Sequence, residues 1–400
     1  MEKVVLPNGL TVIYKPKKSN LVVIEVMAKV GSNDETAPER GISHFLEHIL
    51  FEGTAKRPSN RAITNEIEKI GGDFNAYTTN ERTCFHIKVL QKHFSIAVDV
   101  LADILQHSLF REKDIQKERN VVLKEIDMVH DEPRYYQWVL FQQHLFQKHP
   151  SKYPTYGDRK VIQGLSREKV QRFFHKYYQP SNMVVCIVGD IPDWKKEITS
   201  KLMLRKGKVI RPNIRAELPA SAAYEKKEKK NHASTYTIMG FKTVPRIHPD
   251  AYVLEIINGI LGRGQSGWMF TELRGKLGLG YEVGTQHIAE RTYGYFAVYA
   301  TIDKKNVRLV KRLMLAEMQK LQQVTEQDLQ EAKDFIEGSY YLELDDSQKL
   351  ADQILFWEQV DDSRRLEEFI PTIKRVTVAD VRRVARQYLK NNLFVVVEGK

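Results

Sequence analysis

Apolar positions recur along this chain with two spacings. In GISHFLEHILFEGT, residues 41–54, Phe45, Leu46, Ile49, Leu50 and Phe51 repeat at helical intervals, and the stretch ends at Gly53 with Pro58 beyond. A second helical pattern covers residues 111–133, where Val121, Val122, Leu123, Ile126 and Met128 give a buried side and Pro133 marks its end. Elsewhere the pattern is that of strands. The opening MEKVVLPNGLTVIYK reads as a strand, an Asn-Gly turn and a strand. Residues 76–90 read as an antiparallel pair, and residues 73–79 as a strand with an exposed edge, after Gly71-Gly72 closes the helix SNRAITNEIEKI. Strands and helices alternate irregularly, which predicts an α+β fold rather than a doubly wound parallel sheet.

The pattern also repeats. SREKVQRFFHKYYQPSNMVVCIVG (166–189) and TVADVRRVARQYLKNNLFVVVEG (377–399) both read as a capped helix followed by an apolar strand. At an offset of about 211, Ser166 meets Thr377, Val170 meets Val381 and Tyr177 meets Tyr388; the second block is one residue shorter. Two halves of like fold are therefore expected: residues 1–205, a polar linker over 206–232, and residues 233–400.

Composition bounds the reading. The chain has 400 residues, 42% hydrophobic and 28% charged, enough for two domains with ample cores. It contains no run of 18 apolar residues, so no membrane span is expected, and its opening residues resemble neither a signal nor a transit peptide. Cys84 and Cys186 lie in apolar strand-like runs, read as buried free thiols suited to a reducing cytoplasm. The net charge of +11 is spread along the chain, and its densest run, YEKKEKKNH (224–232), reads as a charged linker. Nothing matches a nucleic-acid recognition element, so no nucleic-acid partner is expected.

The chemistry sits in the first helix. His44 and His48 are one turn apart and share a face, where two imidazoles can hold one Zn²⁺. Glu47 lies about 60° from His44 around the axis, within reach of a metal-associated water as a general base. Flanking apolar residues bury this helix, and buried His and Glu need partners. A catalytic zinc site requires a third protein ligand. Glu118 and Glu125, seven apart on the second helical pattern, share a face; one can bind the metal while the other supports the site, and spacing leaves open which.

Taken together, LPNGLTV (6–12), HFLEH (44–48), GGDFNAYTTNERT (71–83), ERNVVLKE (118–125) and LRGKLGLGY (273–281) resemble the pitrilysin/insulinase family of zinc peptidases, nearly end to end. The likeness is greatest to the short bacterial and archaeal members related to mitochondrial processing peptidase. This resemblance implies two homologous α/β-sandwich domains, each a mostly antiparallel sheet packed with helices. It implies one Zn²⁺ per chain, with Glu125 as third ligand and Glu118 as the supporting carboxylate. It implies that Asn75 and Ala76 meet an extended peptide substrate along a strand edge, and that Arg274 and Tyr281 of the second half hydrogen-bond the peptide near the scissile bond. Read without it, Asn75 closes a turn, Arg274 is a solvated helix charge and Tyr281 starts a strand. The family builds a closed chamber from four such domains, so a homodimer is expected, with a heterodimer as the variant. The expected activity is zinc-dependent cleavage of unfolded peptides; a specific leader peptidase and a non-catalytic scaffold are the alternatives. The remaining histidines, among them His86, His130, His144, His149, His232, His248 and His287, are read as structural or exposed.

Overall fold

The computed structural model describes every residue except 205, 206, 208, 210, 211, 218, 220 and 221. The first half contains strands β1 (Glu2–Val5), β2 (Thr11–Lys15), β3 (Leu21–Ala28), β4 (Asp73–Thr78), β5 (Thr83–Leu90) and β6 (Met183–Val188). Its principal helices are α1 (Ile42–Ile49), α2 (Glu112–Asp131), α3 (Pro133–Leu145) and α4 (Arg167–Tyr177). The second half contains β7 (Tyr224–Lys229), β8 (Thr235–Lys242), β9 (Gly280–Ala289), β10 (Gly294–Ile302) and β11 (Leu393–Glu398). Its principal helices are α5 (Asp250–Gly262), α6 (Glu326–Asp345), α7 (Ser347–Val360) and α8 (Val378–Tyr388).

The strands form two sheets, ordered β1-β2-β6-β3-β5-β4 and β7-β11-β8-β10-β9. Among the described residues β2/β6 and β7/β11 pair in parallel and every other strand pair is antiparallel. Without β1 the two orders are the same, strand for strand, so the α+β reading and the likeness of the halves both hold. The repeat seen in sequence is α4–β6 against α8–β11. Ser166 and Thr377 are the N-caps of those helices, accepting from Lys169 N and Asp380 N. Each strand then enters its sheet between the same two neighbours. β6 and β11 are buried at all six positions, as strands covered on both faces must be.

Part of the stretch expected to be a linker is strand. Residues 224–229 of the charged run form β7, pairing parallel with β11 from Leu393↔Tyr224 to Glu398↔Lys229. Lys and Glu there behave as edge-strand residues, keeping charge along a rim that would otherwise invite pairing. Lys227 and Lys304 both pair with Glu398. The expected linker before β7 includes residues outside those described.

Two compact units result, and neither is a contiguous half. The first comprises Met1–Asp127, Tyr153–Pro212 and Glu343–Gln359; the second comprises Met128–Lys152, Asn213–Leu342 and Val360–Lys400. Helix α3 of the first half therefore belongs to the second unit, and most of α7 belongs to the first. In the second unit, Leu140, Phe141 and Leu145 of α3 pack with Ile238, Tyr295, Leu393 and Val395. Gly240 leaves room for Phe141; a Cβ there would come within 2.1 Å of its ring. In the first unit α7 covers a polar patch of the sheet. Gln348 Nε2 donates to Glu25 Oε2 (2.9 Å), and the Tyr77 hydroxyl donates to Asp352 Oδ1 (2.7 Å). Burial, then the neighbouring Asp352, push the Glu25 carboxyl well above the usual carboxylate range. Cys84 and Cys186 are buried and free, as read from sequence. Among the described residues, no helix is long and apolar enough to cross a membrane.

Candidate metal centre

Both ends of α1 are fixed by groups from outside it. Its N-cap, Gly41, has φ +95° and no side chain, and a Cβ there would meet the Tyr156 carbonyl at 2.5 Å. Glu35 supplies the missing cap, accepting from Gly41 N (2.7 Å) and Ser43 N (2.8 Å). Past the other end, buried Arg57 donates to Asp103 (2.6 Å) and Thr54 Oγ1 donates to the same carboxylate (2.6 Å). Lys117 of α2 donates to Glu52 (2.7 Å), joining that loop to the helix of the two candidate carboxylates.

Within this frame α1 presents His44, Glu47 and His48. The two imidazole Nε2 atoms are 3.4 Å apart, and Glu125 Oε2 lies 3.7 Å from the first and 3.6 Å from the second. Among the described residues, this is the one group of three His, Cys, Asp or Glu side chains whose ligand atoms come that close. Glu118 approaches from the other side of the ring: its Oε2 is 3.2 Å from His48 Nδ1. An ionised carboxylate only accepts, so Nδ1–H donates, and in the neutral ring it is Nε2 that keeps the lone pair. Two imidazole nitrogens and a carboxylate oxygen thus converge with no proton needed between them, an arrangement suited to a cation. Donors about 2.0–2.1 Å from one tetrahedral Zn²⁺ would stand roughly 3.3 Å apart, close to the triangle observed.

Electrostatics separate the four groups. Burial, reinforced by His48, lowers His44 to about 3, so it stays neutral. Burial also acts to lower His48, but the Glu118 hydrogen bond and the charges of Glu125 and Glu47 outweigh it, and the net direction is up. Glu118 moves down: burial opposes this, and the bonds from His48 and Lys117 prevail. Glu47 is pushed up by burial, with Thr78 and His48 resisting and Glu125 assisting. A carboxyl raised in this way is better matched to proton transfer near neutrality than an exposed one.

Glu47 also has a partner that sequence reading missed. Thr78 Oγ1 donates to Glu47 Oε2 at 2.6 Å, tying α1 to β4. The signal was the strand period, which puts Thr78 on the same side as Ala76. β4 is the outer strand of its sheet, paired with β5 alone. Asn75 is exposed on it, and its Oδ1 accepts from Ala76 N at 2.8 Å. Arg274 and Tyr281 belong to the second unit. There Arg274, in the π-helical turn Thr271–Lys276, donates to the Tyr281 carbonyl (2.6 Å) and sits 5.2 Å from the Tyr281 ring centroid. The Tyr281 side chain is exposed.

The second unit shows what the same frame holds without this chemistry. The offset of 211 carries His44 to Glu255, Glu47 to Asn258, His48 to Gly259, Glu118 to Leu329 and Glu125 to Ile336. Two contacts of the second unit resemble those of the first, although Thr285 lies 207 residues beyond Thr78 rather than 211. Asn258 accepts from Thr285 of β9 (2.7 Å), as Glu47 does from Thr78 of β4. Ile336 borders Gly259 as Glu125 borders His48. Glu255 pairs instead with buried His287 (2.9 Å), a histidine that had no partner at ligand spacing in the sequence.

Removing the support should weaken the site without emptying it. Glu118→Gln is expected to lower zinc affinity by about 10–100-fold, the usual effect of losing an outer partner of a ligating histidine. Competition with a chromophoric chelator measures this; unchanged affinity would deny Glu118 the role.

Comparison with known proteins gives the same outline. Residues 11–159 match the family described as insulinase (peptidase family M16), and residues 164–335 match the peptidase M16 inactive domain. An uncharacterized zinc protease of Rickettsia felis is 33% identical over 82% of this chain and 80% of its own length. The uncharacterized zinc protease YmxG of Bacillus subtilis is 29% identical over 95% of this chain and 93% of its own. Among solved structures, a protease from Helicobacter pylori superposes with a TM-score of 0.94 at 24% identity, covering 99% of both chains. A peptidase M16 inactive domain from Pseudomonas fluorescens gives 0.90 at 20% identity, over 100% of this chain and 98% of the other. At these identities the structures speak for the fold alone.

Proposed function

The chain belongs to the insulinase family of peptidases, family M16, and from that premise we propose that it is a zinc-dependent endopeptidase acting on unfolded peptides. Relatives that are named zinc proteases support a metalloprotease and zinc as its metal. The observation that carries the finer reading is the convergence of His44, His48 and Glu125 beside a buried Glu47.

In this reading those three residues hold the metal and Glu118 orients His48. Zinc, when bound, supplies Lewis acidity, acidifying water and drawing electron density from a carbonyl oxygen. The protein does the rest. Glu47, steadied by Thr78, accepts a proton from the attacking water and returns it to the leaving amine. The free edge of β4 takes the substrate as an added strand, so backbone bonds give affinity with little demand on sequence. Asn75 and Ala76 stand at that edge beside the bond to be cut. Arg274 and Tyr281, already bonded to each other, provide a guanidinium and a phenol suited to a carbonyl oxygen that gains charge. Two copies of the chain would complete a four-domain chamber that admits unfolded peptides; a monomer by light scattering at micromolar concentration would overturn that part.

The direct test is metal content by mass spectrometry beside cleavage of an unstructured peptide. One zinc per chain is expected, with cleavage lost on chelation and restored by zinc. Absence of both metal and cleavage would favour a scaffold role; cleavage that survives chelation would overturn the metalloprotease reading.

A further inference from the structure

Two neighbours on the outer strand β4 are tied in opposite directions. Thr78 reaches α1 through Glu47; Tyr77, on the other face, reaches α7, its hydroxyl donating to Asp352 Oδ1 at 2.7 Å. The same hydroxyl oxygen stands 3.4 Å from Glu25 Oε1 of β3. Glu25 is wholly buried, and its other oxygen accepts from Gln348 of α7 at 2.9 Å. Two carboxyl groups, Glu25 from the sheet and Asp352 from α7, thus meet around one phenol.

Protons decide whether this contact holds. A phenol carries one, and the shorter contact takes it to Asp352. Glu25 and Asp352 also share a hydrogen bond, and two carboxyl groups can share one only if a proton lies between them. With that proton, α7 is bonded to β3 and β4. Without it, two like charges face each other, one of them out of reach of water. The cations nearby are engaged elsewhere: Lys88 of β5 with Asp346 (3.0 Å), and Arg82, in the turn before β5, with Gln359 Oε1 (3.3 Å). The other titratable neighbours are neutral near pH 7. Burial pushes the Cys84 and Cys186 thiols and the Tyr77 phenol up, and it pushes His86 down. Burial, then Asp352, keep the proton on Glu25 against the donors Cys84 and Gln348.

We propose that Glu25, Tyr77 and Asp352 form a proton-dependent catch, which fastens α7 to β3 and β4 while one proton is shared and lets the helix lift as alkali removes it. Glu25 holds its proton more firmly under α7 than in water, so lifting α7 releases that proton. The catch is at full strength below the ordinary carboxylate range and weakens as pH rises through the folded value of Glu25. That the loosened strand is the one offered to substrate rests on the peptidase reading; the catch does not.

Amide hydrogen exchange of the full chain tests this between about pH 7 and 8, above the titration of an ordinary histidine and below that of an ordinary thiol. After correction for intrinsic exchange, α7 and β4 are expected to lose protection by up to about tenfold per pH unit, the slope of one linked proton. β10 of the second unit should show no such loss. Glu25→Gln, close in shape and unable to titrate, should abolish the slope in α7 and β4. A parent protein whose α7 loses protection no faster than β10, or a slope that survives Glu25→Gln, would overturn the proposal. Should the variant fail to fold, the comparison of α7 with β10 in the parent still decides. Exchange needs no cleavage, so the catch and the peptidase reading fail separately.

Discussion

Glu47→Gln is expected to keep its metal and lose turnover by about 10²–10⁴-fold, the usual contribution of a positioned proton-transfer group. The substitution is nearly isosteric, and the carboxamide oxygen can still accept from Thr78 Oγ1, so the tie between α1 and β4 survives. What disappears is a group able to take and return a proton. Metal content and peptide cleavage measured on one preparation separate these effects. Full activity in the variant would remove Glu47 from the chemistry. Loss of metal together with activity would show that the change had disturbed the helix.

Removal of the Glu125 carboxylate should act at the opposite end of the site. Glu125→Ala leaves two imidazoles 3.4 Å apart and no anionic ligand. Zinc affinity is expected to fall much further than the roughly 10–100-fold assigned to losing an outer partner such as Glu118. Activity should follow metal occupancy, and added zinc should restore part of it. The ordering of the two carboxylates is the point of the comparison, measured by chelator competition on both variants. If Glu125→Ala held zinc as well as the parent while Glu118→Ala lost it, their roles would be reversed.

Much of this site was legible because its parts are local. A helical period and three residues of two types within five positions place two imidazoles and a carboxylate on one turn, and no distant information is needed. The two glutamates of α2 were legible only as a pair. Spacing puts both on one face but cannot say which ring nitrogen each approaches; in the structure Glu118 lies on Nδ1 of His48 and Glu125 on the Nε2 side. Thr78 was missed because its contact with Glu47 spans 31 residues and depends on how β4 lies against α1. The charged run at 224–229 reads as linker because its Lys and Glu carry no apolar stripe; the sheet edge, not burial, makes it a strand. The exchange of α3 and α7 left no trace in the pattern. An amphipathic helix shows that it must be buried but not against which sheet.

That exchange has a consequence for how the protein is made. A ribosome delivers the chain from its N-terminus, and domains usually fold in that order. Here the sheet beside α1 still lacks the helix that covers Glu25 and Tyr77 until Gln359 has emerged. Meanwhile α3 waits with Phe141 uncovered until β8, β10 and β11 are available to receive it. The candidate catalytic unit is therefore among the last parts to close, although its metal-site residues are translated early. A nascent chain would carry these histidines and glutamates long before the sheet beside them was covered by α7.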